Sequence, residues 1–355
     1  MDGAEEHNIE LIHKKKIKLI RNHALEKQSL IMSGSQFIKI FFGLLKTFPL
    51  EDEAAKKAVI RTYMEEVLHV IFFFGHMHVM PINPKEFFRD EEYERLKKIL
   101  PAPFEKYKTH LPTRTPYSVL LEVVVKMNNP NNVNRILQQL TDINKALQKP
   151  TPTDKQLCSN NDYSFDSTVV SFSYFQDPVT NKRSENFFGA SLGCKGRVER
   201  QIMIAISCIK VWNMAVAYAV HYARQERCVH FPDFVYSEAF KSGRKNNGPY
   251  KKLAPCRKCF RSFQNVKFVP AHEELNYRAD WPNGNCAEAE SLSKLLDKLP
   301  NVMAMVCSVV NGTKTLFTPD MMDFKASCQN TASQKLKSRN FEIMLDWQFF
   351  SCNLT

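Results

Sequence analysis

The feature that most restricts the fold is a change in hydrophobic period near the middle of the chain. Up to Leu147, apolar side chains recur every three to four residues, the spacing of one helical face. Glu5 to Ser29 is charged, with periodic Ile, Leu and His, and reads as a first helix. Phe37, Ile40, Phe41, Leu44 and Leu45 make a second over Gln36 to Phe48, which Pro49 ends. Glu51-Asp52-Glu53 places acidic groups at the positive end of a third, running to about Phe74 and apolar enough to be central in a bundle. Between the prolines that follow, Glu86–Leu100 and Tyr117–Met127 read as helices, and Asn131–Leu147 is amphipathic through Val133, Ile136, Leu137, Leu140, Ile143 and Leu147. Lys149–Asp154, KPTPTD, is the linker signal.

Beyond it the period falls to two. Tyr163–Phe175, YSFDSTVVSFSYF, alternates and is rich in β-branched and aromatic residues, so it reads as a strand. Asp177–Asn181 makes a turn and Asn186–Ala190 the return strand. Arg197–Arg227 reads as one long apolar helix, Cys228–Tyr236 as a strand, Cys286–Leu299 as a helix and Asn301–Val310 as a strand. The expected organisation is an α-helical domain over residues 1–150 and an α/β domain over residues 151–355, an α+β or α/β chain whose second part is a mixed sheet with helices packed on it. No internal repeat or low-complexity tract is present.

Composition limits function. With 355 residues, 44% of them hydrophobic, the chain can bury a sizeable core. Its formal charge of +12 favours anionic partners, with a solvated charged face as the plain alternative. The N-terminus has no apolar run behind a basic start, and Val67–Phe74 falls far short of the ~20 residues of a membrane span. These features predict a cytoplasmic location, with nuclear entry left open, and no membrane span. In that reducing setting the ten cysteines are expected as free thiols or metal ligands.

Two cysteine motifs stand out. Pro255-Cys256-Arg257-Lys258-Cys259 spaces two thiols so that both can reach one metal from a tight turn or helix start. Gly284-Asn285-Cys286-Ala287-Glu288 opens an amphipathic helix whose Leu292, Leu295, Leu296 and Leu299 form a buried stripe. Cys286 then sits at a helix N-terminus, where the dipole favours thiolate. Each motif alone also reads as an ordinary buried cysteine or redox pair; together they point to one metal site.

These motifs resemble those of the zinc-dependent cytidine deaminase-like superfamily. Cys286-Ala287-Glu288 is similar to its [HC]-A-E motif, and Pro255–Cys259 to its P-C-x-x-C motif. The resemblance implies Zn²⁺ on Cys256, Cys259 and Cys286, an activated water, and Glu288 as general acid/base. It covers about 40 residues, and the two motifs stand in the reverse of the family's order. That order leaves a second reading open: a structural zinc site closed by His272 as fourth ligand. The combination PCRKCF…WPNGNCAEAESLSKLL also resembles uncharacterised vertebrate proteins, chiefly from fish, with virus- or interferon-inducible members, which implies an antiviral, innate-immune context.

From Phe240 to Pro270 basic residues are dense and acidic ones absent. Lys251, Lys252, Arg257, Lys258 and Arg261 are candidate anion-binding residues, interleaved with Tyr250, Phe260 and Phe263, which suits a nucleotide or nucleic acid. A mobile solvated loop or a cluster that stabilises thiolates is the alternative. The Lys14–Lys18 run reads as a solvated face, and His76 and His78 as core or surface histidines. Two functions fit the sequence: a zinc deaminase acting on a nucleobase, nucleotide or nucleic acid, or a non-catalytic zinc-stabilised module in host defence that binds nucleic acid or, through the helical half, a protein partner.

Overall fold

The computed structural model describes residues 2–148, 163–225, 227–243, 248–273, 280–318, 323–339, 341 and 347–350. The KPTPTD stretch lies outside them.

The first region is helical, as its period requires. It holds α1 (Asp2–Leu45), α2 (Glu53–His76), α3 (Asp90–Ile99), α4 (Pro101–Lys106), α5 (Pro116–Lys126) and α6 (Val133–Leu147). The starts follow local chemistry. Asp52 Oδ1 accepts from the Ala54 and Ala55 amides, Thr115 caps α5 over Pro116, and Asn132 caps α6. Two expectations change. Glu5–Ser29 and Gln36–Phe48 belong to one helix, because the Ser33–Ser35 segment is held from outside: the Ser35 hydroxyl donates to the Phe87 carbonyl at 2.7 Å. Glu86–Leu100 divides into a 3-10 turn, Pro84–Phe87, and α3.

α2 is the hub. Val67 through Phe74 are all buried, with no exposed face, as a central helix demands. Phe72 alone meets Phe87, Phe88, Phe104 and Tyr107. An ion cluster pins α2 to α5: Arg114 binds both oxygens of Glu66, at 2.7 and 2.6 Å, and reaches Glu122 with its other nitrogen. Glu122, held well below the usual carboxylate range by Arg114 and Lys126 against the cost of burial, also accepts from the Tyr63 hydroxyl.

The second region contains β1 (Val169–Phe175), β2 (Phe187–Ala190), α7 (Arg197–Ile206), α8 (Met214–His221), β3 (Arg227–His230), β4 (Val235–Gly243), β5 (Gly248–Leu253), α9 (Arg257–Ser262), β6 (Phe263–Gln264), β7 (Lys267–Val269), α10 (Ala287–Lys298), α11 (Pro300–Met303), β8 (Cys307–Val310), β9 (Thr313–Leu316) and α12 (Phe324–Lys337). Two mixed sheets form. One has the order β2-β1-β4-β5, with β7 parallel to β4; the other has the order β6-β3-β8-β9, with β6 parallel to β3. The expected β1–β2 hairpin is there, with Phe172 opposite Phe188. The chain is therefore mixed α/β, with a helical N-terminal region and two mixed sheets.

Three further expectations are corrected. Arg197–Arg227 is α7, a π-helical turn over Ser207–Val211, and α8: Asn213 starts a new helix by accepting the Ala215 amide, and its own amide goes to Ser293 Oγ at 2.7 Å. Cys228–Tyr236 splits between the two sheets at Pro232, which has no N–H to donate, and Phe234, whose φ is 68°. Asn301–Val310 is α11 followed by β8.

Two hydrophobic clusters result. The first is continuous from α1–α6 through β1, β2, α7 and part of α12. The second joins α8, β3, α9, α10 and the first half of α12. α10 lies on the β1–β2 face between them. A Cβ on Gly189 would come within 2.4 Å of the Ala287 carbonyl, so glycine permits that approach. Ser291 Oγ sits 2.9 Å from the hydroxyls of both Ser171 and Ser173, which satisfies the buried polar groups of the face.

Candidate metal centre

β5 leaves its sheet at Leu253 and runs through Pro255 into α9. Cys256 becomes the N-cap of that helix and Cys259 lies one turn further on, buried. The third thiol, Cys286, is the N-cap of α10. The turn before it is tightly determined. Gly284 has φ +85°, and a Cβ there would meet Val220 Cγ1 at 2.7 Å and Trp212 Cη2 at 3.0 Å. The Asn285 carbonyl accepts the Leu192 amide at 3.1 Å. α10 is fixed on the sheet in turn by Glu290, which accepts from the Ala190 amide at 3.0 Å and from Ser118 of α5 at 2.9 Å.

These elements bring the three sulfur atoms together. Cys256 Sγ is 3.7 Å from Cys259 Sγ and 3.5 Å from Cys286 Sγ, and all three lie within 4.8 Å of one another. Sulfur atoms at the corners of a tetrahedron with metal–sulfur bonds of about 2.3 Å are about 3.8 Å apart, so the set has the dimensions of a thiolate metal site. Among the described residues no fourth His, Cys, Asp or Glu completes the group.

The electrostatics favour a cation. The Cys256 thiol is lowered by its contacts with the Cys259 and Cys286 thiols and by the Cys259 and Lys258 amides, against the cost of burial. Cys259, which is buried, and Cys286, which is half-buried, are raised by their contacts with Cys256 and by desolvation. Three thiolates this close would repel one another, and a bound cation would offset that repulsion. The Trp281 indole N–H donates to Cys286 Sγ at 3.2 Å, and the Trp281 carbonyl accepts from Lys258 Nζ. Glu288, on the first turn of α10, is buried beside the thiols. Burial first, and the charge of Cys256 second, raise its carboxyl to about 7, against a contact with the Cys259 thiol.

The structure therefore brings Cys256, Cys259 and Cys286 into one group that could hold a metal ion, with Glu288 nearby. His272 takes a different place. Its Nδ1 lies 3.0 Å from the Pro255 carbonyl and its ring stacks on Phe260 at 4.4 Å, outside the three-thiol group. Of the basic residues, Lys251, Lys252, Arg257 and Arg261 are exposed, Lys252 being paired with Glu238 at 2.8 Å, and Lys258 is half-buried and turned to Trp281. Sequence reasoning missed Trp281 as a donor to sulfur; its position five residues before Cys286 was the available signal. It also missed a second polar cluster, in which Cys328 Sγ lies 3.3 Å from His221 Nδ1. Those two residues are 107 positions apart, so no local spacing announces them.

Compared with protein-family models, curated proteins and solved structures, the chain matches none.

Proposed function

We propose that the protein is a zinc-dependent deaminase-like hydrolase acting on a nucleobase, free, nucleotide-borne or within nucleic acid. The observation that carries this reading is the thiol triad with a buried carboxyl beside it and no fourth ligand among the described residues: Cys256, Cys259 and Cys286 gathered within 4.8 Å, and Glu288 at about 7. Cys256, Cys259 and Cys286 would hold the zinc, which supplies Lewis-acid chemistry and a water activated at neutral pH. Glu288 holds and releases a proton at its carboxyl near neutrality, as a proton shuttle must. Overall, the amino group leaves as ammonia and water supplies the carbonyl oxygen that replaces it. Exposed Lys251, Arg257 and Arg261 suit an anionic substrate. The resemblance of the two motifs adds the antiviral, innate-immune setting.

The test is zinc content followed by ammonia release from nucleosides, nucleotides and single-stranded oligonucleotides, with Glu288→Gln as control. A full zinc complement without turnover on any of these would overturn the proposal.

One observation favours a structural zinc module instead. His272 is tied through Nδ1 to Pro255, within the first thiol motif, an arrangement that leaves Nε2 as the ring's acceptor. X-ray absorption separates the two readings. Three sulfurs and one oxygen support catalysis. Three sulfurs and one imidazole, lost in His272→Ala, support the structural role.

A further inference from the structure

The front of α1 leaves the body of the protein. Among its described side chains the buried ones begin at Leu30 and continue through Phe37, Ile38, Phe41 and Leu45. From His13 to Asn22 every side chain is exposed, over about 15 Å of helix. Ile17, Leu19 and Ile20 are 54%, 55% and 63% exposed, which sets them apart from the isolated apolar residues found on most of the remaining surface.

The charge pattern is equally marked. Lys14, Lys15, Lys16, Lys18 and Arg21 fall within eight residues, and no acidic residue lies between Lys14 and Leu25. Around the helix the two kinds of residue segregate. At 3.6 residues per turn, Arg21, Lys14, Lys18 and Lys15 lie within an arc of about 120°, while Leu19, Ile20 and Ile17 lie on the opposite half with Lys16 among them. A helix with a basic face and a modest apolar face fits a surface that is anionic outside and apolar just beneath. The long lysine side chains then reach the charged layer while the isoleucines enter the layer below. A nucleic acid offers nothing to Ile17 and Ile20. Nor does a second copy of the same basic segment suit it, because like charges would meet. No described helix is long and apolar enough to cross a membrane, so contact of this kind is peripheral.

We infer that the exposed segment His13–Asn22 of α1 is a membrane-surface helix that docks the protein on anionic lipid. The test is co-flotation of the full chain with vesicles of phosphatidylcholine alone and of phosphatidylcholine containing about 30% phosphatidylserine, a composition that draws juxtamembrane basic segments. The expected result is binding to the anionic vesicles only, weakened by salt. The quadruple variant Lys14→Glu, Lys15→Glu, Lys16→Glu, Lys18→Glu should partition at least about a hundredfold less, and Ile17→Ser with Ile20→Ser about tenfold less. All six residues are exposed, so unchanged melting and zinc content will show that the fold is intact. Anionic-vesicle binding that survives both variants would overturn the inference by assigning attraction to the rest of a +12 surface. So would binding that is equal on neutral vesicles, or absent from vesicles while an oligonucleotide or acidic peptide is retained through the same lysines.

Discussion

The two hydrophobic clusters hold their elements by different means. The first is built on size and contact: long helices around α2, with Phe72 touching four other rings and the Arg114 cluster tying α2 to α5. The second is built from short pieces. α9 has 6 residues, β6 has 2 and β7 has 3, and of the residues they span Cys259, Phe263 and Val266 are buried in the cluster. At the two ends of the segment from Pro255 to Cys286, the helix starts at Cys256 and Cys286 and the Gly284 turn bring the thiols together. A long helix carries its fold in its own periodicity and packing; a run of short elements needs a crosslink.

The largest test of this contrast is metal removal. If the thiol group holds the proposed zinc, chelation, or Cys286→Ser, removes on the order of 10 kcal/mol of binding free energy from the second region while leaving the helical one folded. Tryptophan fluorescence reads the difference well, since Trp212 and Trp281 lie at or beside the thiol site. Their emission should shift on chelation while far-ultraviolet helicity falls little. Loss of both signals together would break the contrast and show that Glu290–Ser118 and Tyr250–Tyr117 couple the regions tightly.

The converse variant is Phe72→Ala. It deletes a fully buried ring from the centre of the aromatic cluster and should cost about 4 kcal/mol. The loss should appear in denaturant melts followed by helicity, with zinc affinity unchanged. Equal loss of zinc would again mean one cooperative unit.

How much of this was legible in the sequence follows the same division. Helices α2, α5 and α6 could be read because their period, prolines and caps are local. The two thiol motifs could be read for the same reason, each being a cap with fixed spacing. What could not be read is non-local. β9 is fully exposed and polar in its pattern, and exists because β8 offers it a paired edge. α12, FKASCQNTASQKLK, carries only a thin stripe of mostly small apolar residues, Phe324, Cys328, Ala332 and Leu336, and it is seated by distant partners: Phe324 meets Tyr218 and His221 of α8 and Tyr222 at its end, while Ala332 and Leu336 join the first cluster. Phe231–Phe234 reads as strand interior, and only Pro232 hinted that the chain changes sheets there. The His221–Cys328 pair and the donor role of Trp281 required the fold to bring distant residues together.

A smaller effect separates the regions by pH. His69 is wholly buried in α2, stacked on Phe350 at 3.9 Å, and burial lowers it to about 3. The folded state then resists a proton that the unfolded chain accepts near 6.5. Stability is unaffected above that value and falls as pH drops below it, until the folded pKa is reached. Between pH 7 and 5 the loss is about 2 kcal/mol, and His69→Phe should flatten it. A wild-type slope that persists in the variant would place the titrating group elsewhere.

The smallest effect sharpens the description of the metal centre itself. Trp281→Phe keeps the ring's bulk and removes only the N–H donated to Cys286 Sγ. A hydrogen bond to a thiolate draws charge from the sulfur and fixes its direction, so it acts on metal affinity through orientation rather than through ligand number. Competition with a chelator should therefore show about tenfold weaker zinc binding, with the same stoichiometry and the same number of sulfur neighbours. The first region's melting should not move. If affinity were unchanged, the ordering of Cys286 would rest on the Gly284 turn and the start of α10 alone, and the crosslink would be set by backbone geometry rather than by the indole.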